Sequence, residues 1–123
     1  MAPKVIIIDD VPEILEILSG LFEFSGFEVL CFTLPTEAYD FLINNDDYDC
    51  IVCDINMPVL NGLDLFKQFK AEKRSKVPFI FYSGHAEFIP EVQILTNNYP
   101  LTTFINKPLG NPVEKAKEMI GKG

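Results

Sequence analysis

Short β-branched and aromatic runs alternate along the chain with longer stretches whose apolar residues recur at helical spacing. Lys4-Val-Ile-Ile-Ile8 is too short for a helix and reads as a first strand. Pro12 suits the first turn of a helix, and Glu13 complements the helix dipole there. Ile14, Leu15, Leu18, Leu21 and Phe22 follow on one face, and Ser25-Gly26 ends the helix. Phe27 to Phe32 is a second strand, and Thr33 and Pro35 open a second helix with Ala38, Phe41 and Leu42 inward. Residues 44–48 form a polar loop. Ile51 to Cys53 is a buried third strand that ends abruptly in Asp54, after which Pro58 and the Asn61-Gly62 pair turn the backbone. Gly62 leads into a third helix with Leu65, Phe66 and Phe69 inward. Lys67, Lys70, Lys73 and Arg74 crowd its later part, as the dipole favours.

Val77 to Tyr82 is a fourth strand with Pro78 near its start. The segment from Glu87 to Tyr99 is the least patterned. Pro90 points to a helix over Pro90 to Asn98 with Val92 and Leu95 packed, and Ile94 beside them. Leu101 to Ile105 is a fifth strand. A last helix starts near Pro112 with Val113, Ala116 and Ile120 inward. Strands and helices alternating five times predict a parallel sheet covered on both faces and joined by right-handed crossovers. The whole of residues 1–123 is used by one such α/β domain, with no repeat, linker or low-complexity segment.

Composition narrows the function. The net charge of −8 argues against direct nucleic-acid binding or attraction to an anionic membrane. No apolar run approaches the roughly 20 residues of a membrane span, and no signal peptide is visible, so a cytoplasmic location is expected. The three cysteines, Cys31, Cys50 and Cys53, fit a reduced compartment. Cys50-Ile-Val-Cys53 resembles a redox or zinc pair only superficially, because an offset of three within a strand points the thiols to opposite faces. They read as buried structural thiols.

The candidate chemistry lies just beyond the strands, at the carboxyl edge where open α/β sheets place their ligands. The first strand delivers Asp9 and Asp10, the third Asp54, the fourth Ser83 and the fifth Lys107. One acidic residue after a strand is ordinary helix capping; agreement among four strand ends is not. Clustered carboxylates suit a hard Mg2+ ion. A carboxylate can attack phosphorus and form an acyl phosphate, while an ammonium and a hydroxyl bind the transferred oxygens.

These residues resemble a response-regulator receiver domain, the phosphoacceptor module of two-component signalling. The likeness runs the whole chain: Asp9-Asp10, Asp54, Met57-Pro58 with Asn61-Gly62 behind, Ser83-Gly84, Phe104 and Lys107-Pro108. It implies a flavodoxin-like fold with strand order 2-1-3-4-5. It also implies Asp54 as phosphoacceptor, with Mg2+ held by Asp9, Asp10, Asp54 and the backbone carbonyl of Asn56. Ser83 and Lys107 would contact the phosphoryl group, Phe104 would be the aromatic switch, and Pro108 would follow a cis bond. Partners would be a histidine kinase or histidine phosphotransfer protein, an output protein, and a second copy on phosphorylation. Departures from the family pattern are Ser83 for a common Thr, Leu101-Thr102 for a common Gly-Ala, and Leu109 after Lys-Pro. They fall on the usual signalling face and leave the partner and dimer mode open.

The leading expectation is a stand-alone phospho-receiver that assists only its own phosphorylation and dephosphorylation, switching an interaction surface or draining a kinase as a phosphate sink. A haloacid-dehalogenase-type enzyme would want an Asp two residues after its nucleophile, where this chain has Asn56. A flavin carrier would want a Ser/Thr-rich phosphate loop where Asp9-Asp10-Val-Pro12 stands. An unphosphorylated pseudo-receiver scaffold would have lost acidic residues or the lysine. His85, the sole histidine, reads as a loop residue that modulates water access, and Phe88 and Ile89 as a contact patch or core contacts.

Overall fold

A computed structural model describes residues 2–73, 75–84, 89–106 and 111–122, with Ile89 and Lys122 described by their backbone alone. The expectations resting on Arg74, His85, Phe88, Lys107, the bond to Pro108 and Leu109 lie outside the described residues. In chain order the elements are β1 (Lys4–Ile8), α1 (Pro12–Phe24), β2 (Glu28–Phe32), α2 (Pro35–Asn44), β3 (Cys50–Cys53), α3 (Gly62–Lys73), β4 (Phe79–Ser83), α4 (Ile89–Asn98), β5 (Thr102–Asn106) and α5 (Pro112–Lys122). All strand pairs are parallel and the sheet order is β2-β1-β3-β4-β5, the flavodoxin-like arrangement.

The period of two along each strand divides the core between two faces. Ile6, Ile8, Ile51, Cys53, Phe79 and Phe81 pack with α2, α3 and α4 on one side. Val5, Ile7, Cys50, Val52, Ile80 and Ile105 pack with α1 and α5 on the other. Cys50 and Cys53 therefore face opposite ways, and burial pushes the Cys50 thiol up to about 12. A thiol so strongly protonated is a poor nucleophile, in keeping with a structural role.

The end of α1 shows how local sequence fixes the frame. Gly26 takes φ +92, a conformation open to glycine. Gly26 N–H donates to the Glu23 carbonyl at 3.0 Å and Phe27 N–H to the Phe22 carbonyl at 3.0 Å. Together they close a Schellman cap. The rings of Phe22 and Phe27 meet edge to face at 5.0 Å, the apolar contact that accompanies such caps.

Boundaries differ from expectation where backbone donors are missing or diverted. β4 begins at Phe79 instead of Val77, because Pro78 has no N–H and the Val77 N–H is taken by Ser75 Oγ at 3.1 Å. β5 begins at Thr102 instead of Leu101; the Thr102 N–H and hydroxyl both turn back to the Tyr99 carbonyl, at 3.1 and 2.6 Å. Leu21 is 49% exposed and Ile94 63% exposed, so neither belongs to the core. In α5 Met119 is buried while Ile120 only packs against the edge of the core. These misplacements share a cause: a broad apolar stripe on a helix exceeds the width of sheet it can cover.

Candidate functional site

The sheet brings the three carboxylates together from two strands. β1 and β3 are adjacent, with Ile8 opposite Cys53, so Asp9 and Asp54 leave neighbouring strands at one level. The Asp54 N–H donates to the Ile8 carbonyl at 2.9 Å and the Asp9 N–H to the Phe32 carbonyl at 3.1 Å, extending the ladder one step past the strands. Asp9, Asp10 and Asp54 each offer an oxygen, all within 4.8 Å of one another.

Each carboxylate is held by its own turn. Asp9 Oδ1 accepts the Val11 N–H at 2.9 Å, an Asx turn leading into α1. Asp54 Oδ1 accepts the Ile55 N–H at 2.8 Å, which fixes its side chain at the head of the β3–α3 loop. Asp9 and Asp54 are buried, Asp54 to 7% exposure, while Asp10 is half-buried. Oxygen donors of this number and spacing, with solvent at the Asp10 side, fit a hard divalent cation that keeps several waters.

The β3–α3 loop carries two features that its sequence disguised. The Asn61-Gly62 pair reads as a turn, but the turn lies earlier, in 55–60, and Asn61 caps α3, its Oδ1 accepting the Asp64 N–H at 2.9 Å. Gly62 is needed for space. A Cβ there would stand 2.2 Å from the Asp54 carbonyl oxygen and 3.0 Å from Ile55 Cα. The start of α3 thus lies directly against the backbone of Asp54, joined by Gly62 N–H to the Ile55 carbonyl at 2.8 Å. Positive φ falls instead on Val59, at 72, with the side chain 92% exposed. A β-branched residue there is strained and gains no packing. Val59→Gly is therefore expected to raise the stability by about 1 kcal/mol, after allowing for glycine's freer unfolded chain. A urea midpoint lower than that of the parent would contradict this.

Ser83 is the last residue of β4, fully buried and in register with Asn106, where the sequence suggested a position just beyond the strand. Its parity with Phe79 and Phe81 puts it on the α4 side of the sheet. Phe104 lies on the same side, opposite Phe81 in the register, half-buried against the cluster that holds Val92 and Leu95. Asn56 is exposed in the β3–α3 loop.

This fold, with its acidic cluster at the carboxyl edge, defines a receiver domain. The chain belongs to the response regulator receiver domain family, whose model matches residues 5–117. It is 32% identical over 125 residues to a chemotaxis protein CheY homolog of Campylobacter jejuni, an alignment covering 98% of this chain and 94% of that protein. A receiver domain protein of Clostridium thermocellum superposes with a TM-score of 0.85 at 24% identity, covering 98% of this chain and 95% of that one. The response regulator TrrA of Thermotoga maritima, in complex with Mg2+ and BeF, superposes at 0.79 with 20% identity, over 95% and 98%. Receiver domains are in general signalling modules that bind Mg2+ at an acidic pocket and imply a phosphate-donating partner and an output target. Among the described residues no helix is long and apolar enough to cross a membrane.

Proposed function

We propose that Asp54 accepts a phosphoryl group from a phosphohistidine on a kinase or phosphotransfer protein, and that the resulting change is read on the α4–β5 face. The observation that carries this is the meeting of Asp9, Asp10 and Asp54 within 4.8 Å, on a chain of the receiver family. In the transfer an Asp54 carboxylate oxygen attacks phosphorus, the bond from phosphorus to the imidazole nitrogen breaks, and an acyl phosphate is left on Asp54. Asp9, Asp10, Asp54 and the backbone carbonyl of Asn56 would hold Mg2+. When bound, the ion neutralises charge on the phosphoryl oxygens. The similar TrrA structure is of a complex with Mg2+ and BeF, in keeping with an ion on a chain of this fold. Lys107 would pair with a phosphoryl oxygen and Ser83 would donate its hydroxyl to another. The reading is of a cytoplasmic receiver that assists only its own phosphorylation and hydrolysis.

A docking place for the donor is at hand. Val11 and Ile17 leave apolar surface exposed at and just after the start of α1, on the side of the acidic edge, and Leu21 and Phe24 extend it towards the far end of the helix. The Asn56 position supports phosphoacceptance over phosphatase turnover, since a carboxyl general acid is missing from it.

The switch rests on Ser83 and Phe104 sharing one side of the sheet beneath α4. New phosphoryl oxygens draw the Ser83 hydroxyl towards them, and Phe104 turns into the space released, shifting a pre-existing equilibrium. Phe carries no hydroxyl to desolvate, so the inward state is populated even without phosphate. Beryllofluoride with Mg2+ tests this. Amide chemical shifts are expected to move around Asp54 and Ser83 and then across α4 and β5 to Phe104. Shifts confined to the acidic edge, with Phe104 unmoved, would overturn the switch.

A further inference from the structure

At the opposite end of the sheet from Asp54, a cavity of about 480 Å3 opens between the end of α3 and the α4–β5 turn. That volume falls in the range of small-molecule pockets. Its wall is apolar at Leu101 and the Tyr99 ring and polar at Lys70, Ser75, Lys76 and Thr102, and no carboxylate lines it among the described residues. On a chain of net charge −8, two lysines converging on one cavity are a local reversal of sign.

Lys70 is held in place. Its Nζ lies over the rings of Phe66, Phe69 and Tyr99, at 5.5, 5.8 and 5.8 Å from their centroids. Phe66 and Tyr99 meet edge to face at 5.1 Å, so two walls of this cage brace each other. The ammonium donates to the Ser75 carbonyl, its one hydrogen-bond acceptor among the described residues. An ammonium has three N–H donors, and aromatic faces attract its charge without accepting all of them. Burial lowers the Lys70 pKa, the sign of a cation short of solvation. An anion entering the cavity would supply the missing counter-charge at a site whose geometry is already set.

We propose that this cavity binds a small organic anion with a flat apolar body, its acidic group on the Lys70 and Lys76 ammoniums and its body against Tyr99 and Leu101. The site is independent of the acidic edge, since the length of β4 and β5 separates them.

The test uses the intact chain and three probes of one shape: naphthalenesulfonate, naphthalenesulfonamide and naphthylmethylammonium. Amide shifts are followed during titration. The sulfonate is expected to give saturable shifts at Lys70, Ser75, Lys76, Leu101 and Thr102, and to bind at least about tenfold tighter than the neutral probe, with the cation weakest. Lys70→Met keeps the stem in the cage and is expected to remove that preference while leaving the neutral probe's affinity in place. Lys76→Met gives an independent reading should the Lys70 variant fail to fold. Equal affinity for the three probes, or sulfonate shifts centred elsewhere, would overturn the assignment.

Discussion

Gly62→Ala is expected to destabilise the fold by about 3 kcal/mol or more and to cut phosphoryl uptake at Asp54 by about a hundredfold. The added Cβ meets backbone: 2.2 Å to the Asp54 carbonyl oxygen and 3.1 Å to its carbon. No rotamer change relieves such a contact. Either the first turn of α3 lifts away, losing the bond from Gly62 N–H to the Ile55 carbonyl, or residues 54 and 55 shift. The second route moves the carboxylate itself, and small misplacements of a reacting group are costly. For a domain whose stability is typically about 5–15 kcal/mol, the first route alone removes a large share. Urea unfolding and acetyl phosphate uptake check the two effects separately. A variant matching the parent in both would mean that the close approach is not maintained in solution.

The Gly62 contact also marks where sequence reading stops. The strand ends were legible because each element is short and its period is plain: Asp9, Asp54 and Ser83 emerge from β1, β3 and β4 on one edge. The sheet order was legible only through the family resemblance, since alternating strands and helices by themselves leave it open. Asn61-Gly62 points to a turn because that dipeptide usually makes one. Its actual work, a cap and a backbone contact, depends on where α3 returns to β3, a tertiary fact with no local signature. Lys70 and Lys73 stand in the last turn of α3, where the dipole favours them. Lys73 also reaches across to α2, donating to the Leu42 carbonyl at 2.7 Å and pairing with Asp46 at 2.7 Å, while Lys70 enters an aromatic cage. The helical repeat showed Phe66 and Phe69 inward, but not that they, with Tyr99 from the α4–β5 turn, would close around a cation. Leu21 and Ile94 obeyed the helical period and still face solvent, because periodicity gives a direction and not the extent of the sheet beneath.

Asp10→Ala is expected to weaken Mg2+ binding by about a hundredfold and to raise the stability of the metal-free protein by about 1 kcal/mol. Three carboxylate oxygens within 4.8 Å repel one another when no cation lies between them. Asp10 is the most exposed of the three, so solvent screens part of that repulsion and the gain on its removal is modest. Asp9 is the worse choice for this test, because its Oδ1 also holds the Val11 N–H at the entry to α1. Calorimetric titration with Mg2+ reads the first effect and thermal unfolding in a chelator the second. Opposite signs of the two effects are the signature of a charge cluster assembled for a ligand. An Asp10→Ala chain with unchanged Mg2+ affinity would remove Asp10 from the ligand set, and one less stable without metal would show that its carboxylate supports the fold.

The most direct measurement of the central claim is the intact mass of the protein after incubation with acetyl phosphate and Mg2+. Asp54 stands at the end of β3 with Oδ1 anchored on the Ile55 N–H and two further carboxylates beside it. The parent chain is expected to gain one phosphoryl group, lost again in alkaline hydroxylamine as an acyl phosphate must be, and Asp54→Asn to gain none. An Asp54→Asn chain that takes up one phosphoryl group at the parent's rate would contradict the assignment.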